Sequence, residues 1–397
     1  MSCAQFKIVF VWVFALVVTV GSTVMALPAA QAAPRVARAA PGLAPTAIPG
    51  QLNAVSASSS TNAWAVGENC SAVCKTLTVH WNGTSWSKVA SPNAGSGANT
   101  LAGVYTVSAT DAWAVGDYCT TSACAVEDTL ILHWNGTSWS QVTSPSPSSV
   151  VNVLSGVSGS SGSNIWAAGY MIGPSGSDNT LTLHWNGTAW STIKSPNPSK
   201  TGANLLNAAS AVSSTSAWTV GTYDTSAATG ANLALRWNGT AWSKVKTPNP
   251  SASFDSLFGV SATSVGNAWA VGTAQTTAPG SALILHWNGT SWSKVNSPNP
   301  AGANLSAVSA DSGTDAWAVG YYCVSSCGTP GAVLDTLTLR WNGTSWSKVH
   351  SPSPGSTGRN QLFGVSATSA TSAWAVGTNP NGTTLILHWN GANWSQA

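Results

Sequence analysis

Tyrosines and carboxylates are few in this chain of 397 residues, and they are gathered. Five of the six tyrosines, Tyr118, Tyr170, Tyr223, Tyr321 and Tyr322, follow an Ala-Trp-Ala-Val-Gly segment or a variant of it. Seven of the eleven acids, Glu68, Asp117, Glu127, Asp128, Asp178, Asp224 and Asp335, lie in the same stretches, and Asp255 stands on a nearby link. A phenol ring beside a carboxylate suits recognition. The ring stacks on the apolar face of a sugar or a peptide, and the acid accepts hydrogen bonds. The candidate ligand set is therefore Asp117, Tyr118, Asp128, Tyr170, Asp178, Tyr223, Asp224, Tyr321 and Tyr322. The plainer reading is that exposed loops collect polar residues and that tyrosines cover strand ends. Catalysis asks for more. A glycoside hydrolase or lyase needs two carboxylates about 5–10 Å apart. Asp117, Glu127 and Asp128 form the dense acidic group, but no histidine shares their loop, and no catalytic residue is assigned.

Sulfur and imidazole chemistry are read in the same way. Apart from Cys3 the cysteines fall in three close pairs, Cys70/Cys74, Cys119/Cys124 and Cys323/Cys327. In an oxidising compartment such pairs read as local disulfides, with cross-pairing between loops as the alternative. Zinc needs four ligands, and no histidine lies within any of these loops. Histidine or arginine recurs at one repeat position: His80, His133, His184, Arg236, His286, Arg340 and His388. A shared metal is excluded by geometry if that position is two strand spacings, about 9.6 Å, from a sevenfold axis. These residues are expected to make polar contacts between neighbouring repeats. No metal and no cofactor is assigned.

Composition narrows the function classes. Charged residues make up 6% of the chain and the formal net charge is +3, against roughly 25% charged residues in ordinary soluble domains. There is no electrostatic case for nucleic acid or for an acidic lipid surface. The first 32 residues read as an export signal: Lys7, then the apolar run at 8–20, then Ala-Gln-Ala at 30–32. Cleavage after Ala32 leaves no apolar span, and the rival is an uncleaved anchor. Residues 33–50 read as an extended Pro/Ala-rich spacer. The expected location is secreted or at the cell surface.

Residues 51–397 repeat. The first Trp of a Trp-Asn-Gly motif stands at 81, 134, 185, 237, 287, 341 and 389, and a second Trp follows five residues later each time. A third stands at 64, 113, 166, 218, 269, 317 and 374, so the repeats hold 21 of the 22 tryptophans. Each unit reads as four short strands, such as 257–263, 267–273, 282–287 and 291–295, without a helical period. A period near fifty with four strands is one blade of a propeller. The fold expected is all-β: a seven-bladed β-propeller of four-stranded antiparallel blades. Small residues at one position of the first strand (Ala54, Gly103, Gly156, Gly259, Ala307, Gly364) fit close approach near the axis. All four strands of blade seven come from the C-terminal end. Closure should rest on packing of blade one against blade seven, with residues 44–50 able to add a partial strand beside the short last one.

The Asn-Gly pair is a strong hairpin signal, because both residues tolerate positive φ. As a two-residue turn, Asn82-Gly83 pairs Trp81 with Thr84 and Val79 with Trp86, placing the two indoles on one face as diagonal neighbours. A four-residue loop keeps the same parity. Each blade then presents a Trp pair to its neighbour, a scaffold role; seven aromatic sugar platforms are the functional alternative. The triplet is also a glycosylation acceptor at Asn82, Asn135, Asn186, Asn238, Asn288 and Asn342, but Asn390-Gly391-Ala392 keeps only the turn.

The run "GNAWAVGT…LILHWNGTSWSKV" resembles the Asp-box (BNR-type) propellers. It resembles in particular the photosystem II stability and assembly factor family, with its Trp-Ala-Val-Gly strand, Ile-Leu-His-like strand and Gly-x-x-Trp hairpin. Here Gly289-Thr290-Ser291-Trp292 fits that hairpin, while the box Asp is replaced by Trp287 and by Trp in every other unit. The resemblance covers roughly 51–397 and implies fold and blade order. Sialidases of this superfamily use an arginine triad, whereas the repeats hold only Arg236, Arg340 and Arg359, two of them at the position that is His in the other repeats.

Blade order puts the loops between strands two and three at the same end as the links between blades, and the Asn-Gly hairpins at the other end. The first group varies. From the strand-two Gly to the next strand's Leu there are nine residues in blade one, thirteen in blade two, sixteen in blade six and seven in blade seven. Binding residues concentrate on loops held by a rigid scaffold. The expectation is a secreted, non-catalytic propeller recognising a glycan or an extracellular protein on that end, lopsided toward blades two to four or blade six. The alternatives are a cell-surface structural or adhesion element, or a glycoside hydrolase or lyase.

Overall fold

The computed structural model describes residues 47–397 apart from 174–175, 227–228, 276–279 and 356. The expected signal (1–32) and most of the spacer (33–46) lie outside the described residues. Among the described residues, twenty-eight strands and no helix run in seven consecutive four-strand meanders, the count that seven blades require. Blade one is Gln51–Ser59, Asn62–Cys70, Cys74–Trp81 and Trp86–Val89. Blades two to seven span 99–141, 152–192, 204–244, 254–294, 304–349 and 361–396. Every pairing within a blade is antiparallel. One parallel bridge, Gly230 to Phe254, joins the ladders of blades four and five.

The core is divided among the joints. Period-two alternation gives each middle strand two apolar faces, one for each neighbouring blade. At the joint of blades one and two, Trp64 and Val66 meet Leu101, Ala112, Ala114, Leu130, Leu132 and Trp139. The last joint has the same form: Trp374, Val376 and Ile386 of blade seven meet Leu52, Ala63, Ala65, Leu77 and Val79 of blade one. Near the axis the first strands almost touch. A Cβ on Gly364 would lie 2.9 Å from the Cα of Ala54, and one on Gly156 would lie 2.9 Å from the Cα of Ala208. The small residues there are needed for that approach.

A ring of serine hydroxyls ties the first strands together. Ser56 Oγ accepts the Thr106 N–H, Ser158 that of Ala211, Ser210 that of Ala262, Ser261 that of Ala310, Ser309 that of Ala367, and Ser366 that of Ala57. The joint of blades two and three departs from this pattern. Tyr105 stands where the others have Ser, and Gly159 stands opposite; a Cβ there would come within 2.6 Å of the Tyr105 ring. The chain thus made room for the one large residue in this column.

Closure uses more than side-chain packing. Thr384 N–H donates to Ile48 O at 2.9 Å, Gly50 N–H donates to Gly382 O at 3.0 Å, and Pro49 bridges Thr383. The entering segment therefore lies beside the start of the third strand of blade seven, not beside the fourth strand. The links Val151 and Arg359 bridge Glu127 and Leu334 in the same place. The last joint matches the internal ones in its core, but its bridge is antiparallel where theirs are parallel.

The hairpin differs from the two-residue turn. Trp81 pairs directly with Trp86, and Asn82–Ser85 form a four-residue loop. Gly83 has φ +94°, but Asn82 is not left-handed; among described non-glycine residues only Cys124 and Ser326 have positive φ. The Asn acts through its side chain instead. Its Oδ1 accepts from Thr84 N–H (3.0 Å), Thr84 Oγ1 (2.8 Å) and Ser85 N–H (3.0 Å). This side-chain closure replaces the left-handed turn as the reason for Asn.

Candidate functional site

Tryptophan packing decides which features are scaffold. The strand-two Trp of each blade receives the hairpin pair of the next. Trp64 lies 4.8 Å from Trp134 and 4.9 Å from Trp139 between ring centroids. Trp374 lies 4.8 Å from Trp81 and 5.0 Å from Trp86 across the closing joint. Seven such trios take up all 21 repeat tryptophans, so the seven sugar platforms are not available. The first Trp of each pair donates its indole N–H to a hairpin carbonyl, as Trp81 does to Ser60 O. The other two indole nitrogens of each trio are buried without an oxygen or nitrogen acceptor. Edge-on packing, 80° for Trp64 on Trp139, turns ring edges toward a neighbouring π face.

The recurring histidines also belong to the scaffold, but the contact expected between repeats is a contact within one blade. His80, His184 and His286 Nε2 pair with Asn62, Asn164 and Asn267 Oδ1 at 2.7–2.8 Å, and His133 with Asp111 at 2.9 Å. His80 stacks on Trp64 of its own blade with centroids 4.5 Å apart, and burial lowers its pKa. Only the arginines cross to the next blade. Arg340 binds Asp315 at 2.7 Å and donates to Ala370 O at 2.8 Å, while Arg236 reaches Val265 O at 3.5 Å. Between blades three and four, where the residue is His184, an open polar cleft of about 550 Å³ remains, lined by Ser160, Ser161, Asn164, Asn186 and Ser213 among others. Sequence reading missed this cleft, whose lining includes residues of the Gly-Ser-Ser-Gly-Ser-Asn turn at 159–164.

At the other end, links and strand two–three loops interlock. Asn99, Asn152 and Asn204 start first strands, Asn360 directly precedes one, and all four are fully buried. Three of them accept a link N–H: from Ala94 at 2.7 Å, Ser148 at 2.7 Å and Ser199 at 2.8 Å. Their amides donate to carbonyls, among them Glu127 O, Asp178 O and Leu334 O of the preceding blade. Blade five has Asp255 in this slot, also fully buried, taking the Ser251 N–H. A carboxylate cannot donate as the amide does. Burial pushes its pKa up to about 6, against the pull of the Ser251 N–H and of Lys294.

The predicted ligand residues separate into buried and accessible members. Tyr170 and Tyr321 are each 9% exposed, and burial raises both phenols far above the usual range. The charges of Asp117, Glu127 and Asp178 add to the rise at Tyr170. Asp224 is committed to the scaffold: its Oδ2 accepts the Ala203 N–H at 2.8 Å. Tyr118 faces Asp128 across the ladder, and Tyr322 faces Asp335. Lys348 Nζ sits 3.8 Å over the Tyr322 ring, and Lys244 Nζ 3.8 Å over that of Tyr223. The half-exposed Tyr118 and Tyr322 are therefore cross-strand partners of carboxylates in blades two and six. The structure pairs Tyr118 with Asp128 in blade two and Tyr322 with Asp335 in blade six, so the predicted set is divided among blades.

Disulfides join Cys70–Cys74, Cys119–Cys124 and Cys323–Cys327, all at this end. Glu127 lies near the middle pair, but both sulfurs are already bonded to each other and cannot serve as thiolate ligands. The short rings hold Cys124 (φ 52°) and Ser326 (φ 54°) in the left-handed region, which the surrounding loop must over-determine. They also hold apolar side chains outward. Among the described residues the exposed large aliphatics are Val73, Val150, Val265 and Val324. Val73 and Val324 lie inside disulfide rings, and Val150 is on a link at the same end; only Val265 is on a hairpin. No helix of the described residues is long and apolar enough to cross a membrane.

No protein family matches this sequence, and no curated protein matches it. Solved structures do match. YCF48 bound to D1 peptide shares 12% identity, with 86% of this chain and 94% of that chain covered and a TM-score of 0.50. The BP39L lectin from Burkholderia pseudomallei shares 12% identity, with 88% and 98% covered and a TM-score of 0.52. The resemblance to photosystem II stability and assembly factor propellers thus holds at the level of the fold, and the chain is an all-β propeller of four-stranded antiparallel blades.

Proposed function

We propose that this chain is a secreted, non-catalytic binding propeller that takes a glycan or a protein on the end formed by the strand two–three loops and the blade links. The observation that carries the proposal is the convergence of the loop-length changes, the disulfides and most of the exposed aliphatic side chains at that end. Loop length changes there, and the disulfides lie there. Val73 and Val324 are held outward there, and Tyr118/Asp128 and Tyr322/Asp335 stand as accessible aromatic–acid pairs. An exposed aliphatic on a braced loop beside a ring and a carboxylate offers apolar contact plus hydrogen bonding at little ordering cost. Propellers of the same fold include one named as bound to a peptide and one named as a lectin. In this reading 1–32 is a cleaved signal, 33–50 a spacer, and 51–397 the binding domain. The test is a glycan array together with a pull-down from cell envelopes. A ligand found by either should be lost in Tyr118→Ala and Val324→Asp proteins that melt as the parent does. Blank results in both assays, or binding untouched by these changes, would reject the proposal.

A further inference from the structure

The chain contains eight Asn-Gly pairs, and the fold treats one of them differently. Asn-Gly is the sequence most open to spontaneous deamidation, because glycine has no side chain to shield its amide nitrogen. Six hairpins hold Asn-Gly-Thr with the Asn Oδ1 accepting three hydrogen bonds, as at Asn82, Asn288 and Asn342. In blade seven, Asn390 is followed by Gly391-Ala392 and its Oδ1 accepts two, from Ala392 and Asn393 N–H. The eighth pair, Asn381-Gly382, also precedes a threonine. Its side chain is exposed and takes part in no hydrogen bond among the described residues; only the Asn381 N–H is engaged, with Asn379 Oδ1. The Gly382 N–H makes one turn bond, to Asn379 O at 3.2 Å.

We propose that Asn381 is a site of spontaneous deamidation and that this reaction acts on the closing joint of the ring. The Gly382 nitrogen loses its proton and attacks Cγ of Asn381. A C–N bond forms, the side-chain nitrogen leaves as ammonia, and a five-membered succinimide results. Water then opens either carbonyl, giving aspartate or isoaspartate at position 381. The sum is asparagine plus water giving the acid plus ammonia, and no other reactant is needed. In the capped hairpins Cγ must first be freed from the bonds on its Oδ1; at Asn381 it is already free to turn. Gly382 O accepts the Gly50 N–H at 3.0 Å, and Thr383 bridges Pro49. An isoaspartate lengthens the backbone by one methylene directly before that contact, which displaces the entering segment.

The test is to age the intact chain in mildly alkaline buffer and map peptides by mass spectrometry, with enzymatic methylation to detect isoaspartate. Position 381 should gain one mass unit first and Asn390 second. The six Thr-capped positions should be at least about tenfold slower than 381, which is about 1.4 kcal/mol of barrier. In urea Asn381 and the six hairpin Asn share the tripeptide Asn-Gly-Thr and should react alike. A hairpin Asn as fast as Asn381 in the folded chain overturns the proposal, as does the folded-state order persisting in urea. The aged isoaspartate fraction should melt below an Asn381→Gln protein aged in parallel; equal melting removes the link to ring closure.

Discussion

The two ends of the ring are made from the same repeat and differ in what the repeat leaves free. At the hairpin end the recurring Asn, first Trp and most of the recurring histidines are answered locally. The Asn caps its own loop, the first Trp donates to the neighbouring hairpin, and four of the five histidines pair with the Asn or Asp that opens strand two. At the loop end the interlock lies below the surface, in the buried Asn slot, and what stands above it differs from blade to blade. A scaffold and a candidate binding surface can coexist in one repeat because each end answers to a different set of positions.

The comparison breaks most severely where the trios are broken. Trp374→Ala opens the closing joint and Trp166→Ala an internal one. Each should cost about 3–5 kcal/mol by denaturant titration, because a large buried side chain leaves a cavity. If closure is built like the other joints, the two losses should agree within about 1 kcal/mol; a much smaller loss at Trp374 would mean the ring is held elsewhere.

Asp255 gives the next largest effect. Its folded pKa of about 6 lies above the ordinary 3.8, so the folded state holds a proton that the unfolded chain has released. Stability from this group is therefore greatest below the ordinary value and falls as pH rises through about 6, by up to about 3 kcal/mol. Asp255→Asn restores the amide found in the sister slots. It should be more stable than the parent at neutral pH and should lose this part of the pH dependence in thermal melts across that range. A variant that melts lower at neutral pH would show that the carboxylate is favoured where it stands.

Smaller effects refine the contrast. Gly159→Ala should cost about 1–3 kcal/mol beside Tyr105 and little beside Tyr105→Ser, since Ala occupies the matching position in blades one, four, five, six and seven. A double-mutant cycle that shows no coupling would remove the account of that joint. At the hairpin end Val265→Ser should change stability by less than about 0.5 kcal/mol and leave ligand binding unchanged.

Much of this was legible in the sequence, for a physical reason. Seven copies of one unit multiply a weak strand signal, so the Trp column, the four strands and the small residues near the axis stand out together. The parity argument put Trp81 and Trp86 on one face although the loop length was wrong, because two- and four-residue loops share parity. Other features required the register between blades. Nothing in one strand says that Trp64 meets Trp134 and Trp139, or that Gly159 yields to Tyr105. Burial of Tyr170 and Tyr321, against the half-exposure of Tyr118 and Tyr322, turns on one step along the strand, and that step flips the face. Asp255 looked like one more surface acid until its column of buried asparagines was seen in place.

The central claim is that the ends divide scaffold from binding. The most direct measurement is the affinity of one ligand, once found on the array or in the pull-down, for two matched proteins. One carries Tyr118→Ala, Tyr322→Ala and Val324→Asp at the loop end; the other carries Ser161→Ala, Ser213→Ala and Val265→Asp at the hairpin end. The account predicts that the first loses binding while remaining folded at the assay temperature, and that the second binds as the parent does. Retained binding in the first, with loss in the second, would contradict it and move the site to the hairpin end.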